Sequence, residues 1–195
     1  MNIFRKWFFT QIATWALVFK QRDIALDYYA RILDEQPDDS VTRSRRAFLY
    51  VESGDRSRAI REFERVVQIN GKDADTWFNL GFLHQENGDH AEAIKAFDRA
   101  VESNGRHDRA WYGKALSLIA LGKDADAVAP LRKNTELQPM SPHGHMELAR
   151  IYFKTGDVER CEKRMRQLRA FDPKNAALLE DETGIMIGID RWWKQ

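Results

Sequence analysis

"ENGDHAEAI", residues 86–94, recurs in altered form at three other places in the chain. The related stretches are "ESGDRSRAI" at 52–60, "ALGKDADAV" at 120–128 and "KTGDVERCE" at 154–162. Their glycines, Gly54, Gly88, Gly122 and Gly156, follow one another at intervals of 34 residues. Five positions after each glycine stands a small side chain: Ala59, Ala93, Ala127 and Cys161. Further along each interval comes a turn former, Gly71, Gly105, Pro139 or Pro173. Self-similarity at a fixed period of this length marks a stacked repeat architecture.

Between the punctuation marks, apolar residues return at helical spacing: Trp77, Leu80 and Leu83 before Gly88, and Ala93, Phe97 and Val101 after it. A Gly-Asp step suits the end of one helix in a left-handed turn and the capping of the next. Each unit therefore reads as two helices joined by a tight turn. One such hairpin cannot bury its own apolar face, so consecutive hairpins have to stack into a solenoid. The predicted fold class is all-α.

The period and its residues resemble the tetratricopeptide repeat, whose pattern is W-x2-L-G-x2-Y, then A-x3-F, then P. The window 74–107 carries Trp77, Leu80, Gly81, Ala93, Phe97 and Ala100, with His84 where Tyr is usual. Window 108–141 offers Trp111, Ala115, Ala127 and Pro139. Window 142–175 offers Leu148, Ala149, Tyr152, Cys161, Leu168 and Pro173, with His145 at the Trp place. Window 40–73 keeps Ala47, Tyr50, Ala59 and Phe63, with Arg43 at the Trp place. One period earlier, window 6–39 holds Ala13, Ala25, Tyr29, Ile32 and Pro37, and "KQRD" replaces the turn glycine. The expected organisation is a solenoid over residues 1–175 in these five windows, closed by a capping helix over 176–195 that also contains Trp192 and Trp193.

This register makes "WFFTQIATWALVF", residues 7–19, the first helix of the first repeat. As a helix it rises roughly 20 Å, short of a ~30 Å hydrocarbon core. It lacks a small-residue cleavage site, so a cleavable signal peptide is not expected. A terminal repeat normally turns a polar side outward. Here Trp7, Phe8, Phe9, Trp15 and Phe19 leave only a narrow polar stripe of Thr10, Gln11 and Thr14. An apolar patch of that kind marks a contact surface, for a protein, for a second copy of the chain as a homodimer, or for a bilayer or membrane complex through residues 4–19.

The 31 Lys and Arg residues nearly balance 30 Asp and Glu, for a net charge of +1. No global field points to nucleic acid or to an acidic membrane. Arginines cluster in the second and fifth windows, but they are interleaved with glutamates and form no continuous aromatic-basic track, which leaves RNA the third choice of partner. The five histidines and single cysteine complete no zinc-type ligand set, and no metal or other cofactor is expected. No nucleophile elbow or phosphate-binding glycine loop occurs, so the chain reads as a non-enzyme. Cys161, standing at a small-residue packing place, reads as an inert thiol and fits a reducing, cytoplasmic setting, with peripheral membrane attachment as the alternative.

What the resemblance implies about function is specific. In tetratricopeptide proteins the first helix of each repeat lines a groove that takes a peptide or helix from a partner. Carried over to this chain, the groove would present Arg45, Phe48, Phe78, Asn79, Phe82, Arg109, Tyr112, Leu116, Met146, Arg150 and Phe153. Its aromatic residues imply an apolar trough, with Asn79, Arg109 and Arg150 setting register. The expected function is a scaffold, adaptor or assembly factor that binds protein. A membrane-associated scaffold docked by the first helix is the alternative.

Overall fold

The computed structural model of the chain describes residues 1–191. The helices come in pairs. They are α1 (Ile3–Val18) with α2 (Arg22–Glu35), α3 (Ser40–Glu52) with α4 (Arg56–Ile69), and α5 (Ala74–Glu86) with α6 (His90–Ser103). Then follow α7 (Asp108–Ala120) with α8 (Asp124–Leu137), α9 (Pro142–Lys154) with α10 (Val158–Arg169), and finally α11 (Pro173–Thr183). Among the described residues there is no strand, and the fold is an all-α solenoid. Each helix packs on its neighbours in sequence, and α5 also touches α7 as α9 touches α11. The core is accordingly a row of four apolar clusters rather than one central mass.

Turn chemistry explains the pairing. Gly54, Gly88, Gly122 and Gly156 all have φ between +71° and +83°, with open space where a Cβ would stand. Their requirement is therefore for a left-handed backbone, not for room. One period before Gly54, the same place is held by Lys20 at φ 59°, at a cost of about 1 kcal/mol for a residue with a side chain. After the turn, Asp55 and Asp157 accept from the amides of Arg58 and Arg160 and so cap α4 and α10.

A second periodic interaction ties each first helix to the turn before it. The indole N–H of Trp77 donates to the Gly71 carbonyl at 2.9 Å, and that of Trp111 to Gly105 at 2.9 Å. In the flanking repeats the residue differs but the bond does not. Arg43 donates through Nε to the Pro37 carbonyl at 2.8 Å, and His145 Nε2 lies 3.2 Å from the Pro139 carbonyl. Since a carbonyl can only accept, His145 carries its proton on Nε2. Its Nδ1 is buried and has no hydrogen-bond partner among the described residues. Burial pushes the His145 pKa below its ordinary value, against a smaller opposing effect of the Pro139 carbonyl.

Phe97, fully buried on α6, is the closest-packed ring of the solenoid. A Cβ at Gly81 on α5 would lie 2.6 Å from its Cδ1, and one at Gly113 on α7 would lie 2.5 Å from its Cζ. Two glycines on two helices thus leave the space that one phenylalanine fills.

The C-terminal end corrects the expected capping helix over 176–195. Helix α11 begins at Pro173 and stops at Thr183, where Gly184 at φ 71° closes it in a left-handed cap. Gly188, at φ 76°, bends the chain again, and residues 184–191 run without helix. Glu180, buried on α11, accepts the Ile187 amide at 2.7 Å and pairs with Arg191 at 3.2 Å. Burial alone would raise its carboxyl pKa; the Ile187 amide and the Arg191 guanidinium outweigh that and hold it below the ordinary value. Arg169 on α10 donates to the Ile187 carbonyl at 2.8 Å. Beyond the helix Ile187 is buried while Met186 beside it is exposed, and Leu178 on α11 itself faces outward. Trp192 and Trp193 lie outside the described residues.

Two outcomes are expected. Gly113→Ala should destabilise the chain by about 1–3 kcal/mol in urea unfolding through overlap with Phe97. Adding Phe97→Leu should make the double variant less unstable than the sum of the singles. Because the folded state holds His145 neutral, its contribution is full above the unfolded pKa of 6.5 and is lost as pH falls from there towards the lowered folded value. Thermal melts between pH 7 and pH 5 should show this loss, and His145→Trp, which keeps the donor, should remove that part of the slope.

Candidate functional site

The first helices of successive pairs carry most of the residues expected in the groove, and the structure gathers only part of them. A cleft of about 490 Å³ lies against α5 and α7, lined by Phe78, Phe82, Arg109, Tyr112 and Leu116, with Phe97 beneath. Phe78 is its organising ring. It stands 6.5 Å from Phe82 and 6.0 Å from Phe97, and the His107 ring lies 4.9 Å away. The Arg109 guanidinium sits 4.7 Å over the Phe78 face, a cation–π contact, and makes no ion pair among the described residues.

Local capping positions this stack. His107 precedes α7, and its Nδ1 accepts the Ala110 amide at 3.2 Å while Nε2 meets the Asp75 carboxylate at 3.2 Å. That double use fixes the ring and, with it, the start of the helix bearing Arg109 and Tyr112. Gln85 crosses from α5 to α7, donating to the Gly113 carbonyl at 3.2 Å and the Ser117 hydroxyl at 3.0 Å. From α8, Asn134 donates to the Asp108 carbonyl at 3.0 Å. Tyr112 lies 6.1 Å from the His143 ring, and burial raises its phenol pKa, with the Glu147 carboxylate adding to the effect, so the hydroxyl stays neutral.

The other expected groove residues sit elsewhere. Phe48 is exposed on α3 and meets Phe63 edge-on at 5.2 Å, and Arg45 is exposed beside it. Asn79 is half-buried on α5, and Phe153 is exposed on α9, away from the cleft lining. Met146 corrects the expectation: it is 8% exposed and belongs to the core, because α9 turns this face towards Leu118 and its neighbours. Arg150 is spent within the chain, on Glu182 at 2.8 Å and Glu147 at 2.6 Å, which hold its pKa above the ordinary value. Phe97 and Asn134 enter the cleft without having been expected there. The signal for Phe97 was present: Gly113 inside a helix costs about 1 kcal/mol and calls for a packing reason.

On α1, Trp7, Phe8, Trp15 and Phe19 are exposed, with Trp15 at 61% and Phe19 stacked on it at 6.3 Å. Phe9 corrects the expectation, since it is half-buried against Tyr28 at 5.4 Å with Arg5 over its ring. The buried residues of α1 are Ala13 and Ala16, small side chains that bring it close to α2. No helix among the described residues is long and apolar enough to cross a membrane. Among those residues, no group of three or more His, Cys, Asp or Glu comes together as a metal site.

Comparison with known proteins agrees with the fold. Two family models, both described as tetratricopeptide repeat, match residues 79–133 and residues 62–95. No curated protein matches the chain in sequence. Among solved structures, a crystal structure of MamA superposes with a TM-score of 0.78 at 17% identity, covering 94% of this chain and 98% of that one. A tetratricopeptide repeat protein from Parabacteroides merdae ATCC 43184 reaches 0.77 at 15% identity, covering 92% and 74%. YrrB, described as a TPR protein with an unusual peptide-binding site, reaches 0.67 at 15% identity, covering 80% and 84%. At these identities the likeness is one of fold. Tetratricopeptide repeats are thus recognised over residues 62–133, and the same helix pairing continues on both sides of them.

Proposed function

We propose that the chain is a non-enzymatic adaptor that holds a short segment of a partner protein in the cleft between α5 and α7. One observation carries this: Phe78, Phe82, Tyr112 and Leu116 surround an open apolar space, and Arg109 at its side makes no ion pair among the described residues. Burying a bulky apolar side chain there removes water from several aromatic faces at once. An Asp or Glu near that anchor would meet the Arg109 guanidinium, which gives direction as well as affinity. The fitting ligand is an extended or helical segment with an aromatic or branched aliphatic anchor and a nearby acidic residue. YrrB, a protein of the same fold, has a peptide-binding site, which supports a peptide ligand here.

A random peptide library displayed on phage and selected on the intact chain should enrich such segments. Binding of a selected peptide should fall roughly 10- to 100-fold with Tyr112→Ala or Phe82→Ser, as for aromatic anchors generally. Arg109→Glu should reverse the preference for the acidic residue. Absence of enrichment, or peptides that bind these folded variants as well as the parent, would rule the cleft out.

A further inference from the structure

The outer face of α1 has a symmetry that the groove does not share. Its exposed apolar residues are Ile3, Phe4, Trp7, Phe8, Trp15, Val18 and Phe19. Six of the seven pair about Gln11: Ile3 with Phe19, Phe4 with Val18, and Trp7 with Trp15. Phe8 reflects onto Thr14. At 3.6 residues per turn all of them fall, with Gln11 at the centre, within an arc of about 160°. In an antiparallel pair about a two-fold axis beside Gln11, each residue of one copy stands level with its pairing position in the other, so apolar side chains meet apolar side chains along the stripe.

We propose that two copies of the chain pair through α1, antiparallel, with the two-fold axis passing beside Gln11. The area is sufficient. Five aromatic side chains each expose about half of a ~200 Å² surface, and Ile3 and Val18 bring the total to about 700 Å², close to the ~800 Å² per partner of a stable complex. The polar groups of the stripe are ready for burial. Thr14 donates to the Thr10 carbonyl at 2.8 Å, and Thr10 to that of Lys6 at 2.9 Å. Gln11 has no such partner among the described residues, and at the axis its amide meets its twin, each donating N–H to the other's carbonyl. Antiparallel pairing also sets the two helix dipoles head to tail.

Charge favours a second copy over an anionic bilayer. Three of the four cations beside the stripe are already paired, Arg5 with Glu35 at 2.8 Å, Lys6 with Asp39 at 2.8 Å and Arg22 with Glu52 at 3.6 Å, which leaves Lys20. Their carboxylates offset the basic cluster that a lipid surface would need. The same pairing keeps the cations from repelling one another across the two-fold axis. This contact is independent of the cleft and of what the cleft binds.

Sedimentation equilibrium of the intact chain should give twice the chain mass. Trp7→Glu with Trp15→Glu, which sets carboxylates opposite one another, should weaken the pair more than 100-fold while leaving the circular dichroism and the thermal melt cooperative. Register is read by disulfide trapping, for which the buried Cys161 stays silent. Gln11→Cys should cross-link under mild oxidation. Phe4→Cys alone should not, and Phe4→Cys with Val18→Cys should. A chain that stays monomeric overturns the proposal, whether or not it then binds phosphatidylcholine–phosphatidylglycerol vesicles. So does a dimer that cross-links through Phe4→Cys alone, since only a parallel pair sets position 4 against itself.

Discussion

One side chain, Phe97, holds the middle of the solenoid in register. Its ring occupies the volume that Gly81 and Gly113 give up, so α5 and α7 approach α6 more closely than residues with a Cβ would let them. The same ring underlies the cleft. Packing and binding surface are therefore one construction: the close approach that stabilises the third and fourth helix pairs also sets the spacing of Phe78, Phe82 and Tyr112. A change at either glycine would be felt in the groove before it unfolded anything, since interiors packed to this density transmit displacement rather than absorb it.

Around that ring the electrostatics are sparing. Arg109 keeps its charge over an aromatic face, where the ring quadrupole stabilises it without neutralising it. Arg150, two repeats' worth of helix packing away in the chain, has been closed off by Glu147 and Glu182. Arg109 and Arg150 stand at different places in the repeat, the second and the ninth of their windows, and of the two only Arg150 pairs with carboxylates among the described residues.

The all-α solenoid was legible because period and turn chemistry are local. Gly54 to Gly156 mark left-handed turns, and a turn is decided by the residues in it. Two features escaped for the opposite reason. Met146 sits at a groove position by register but is core by environment, because α9 is packed by α8, α10 and α11 together. Phe9 belongs to an aromatic run in sequence, yet Tyr28 on the neighbouring helix covers it. Helix α11 stops short of the expected span because Gly184 and Gly188 take left-handed backbone angles that end it and bend the chain. The family pattern itself fades outside residues 62–133, where Arg43 and His145 stand for Trp. Those repeats keep the donor and lose the residue, so they are visible in the hydrogen bonds and faint in the letters.

The two ends of the row are unlike, and this sets the valency of the molecule. At α11 the bent segment 184–191 lays Ile187 over the last cluster, and the Glu180–Arg191 pair with the Arg169 hydrogen bond fastens it there. That face is occupied by the chain itself. At α1 the face is bare and aromatic. In the pairing proposed for α1, the bare face is used up by the second copy, and the opposite end of the row, covered by segment 184–191, does not repeat it.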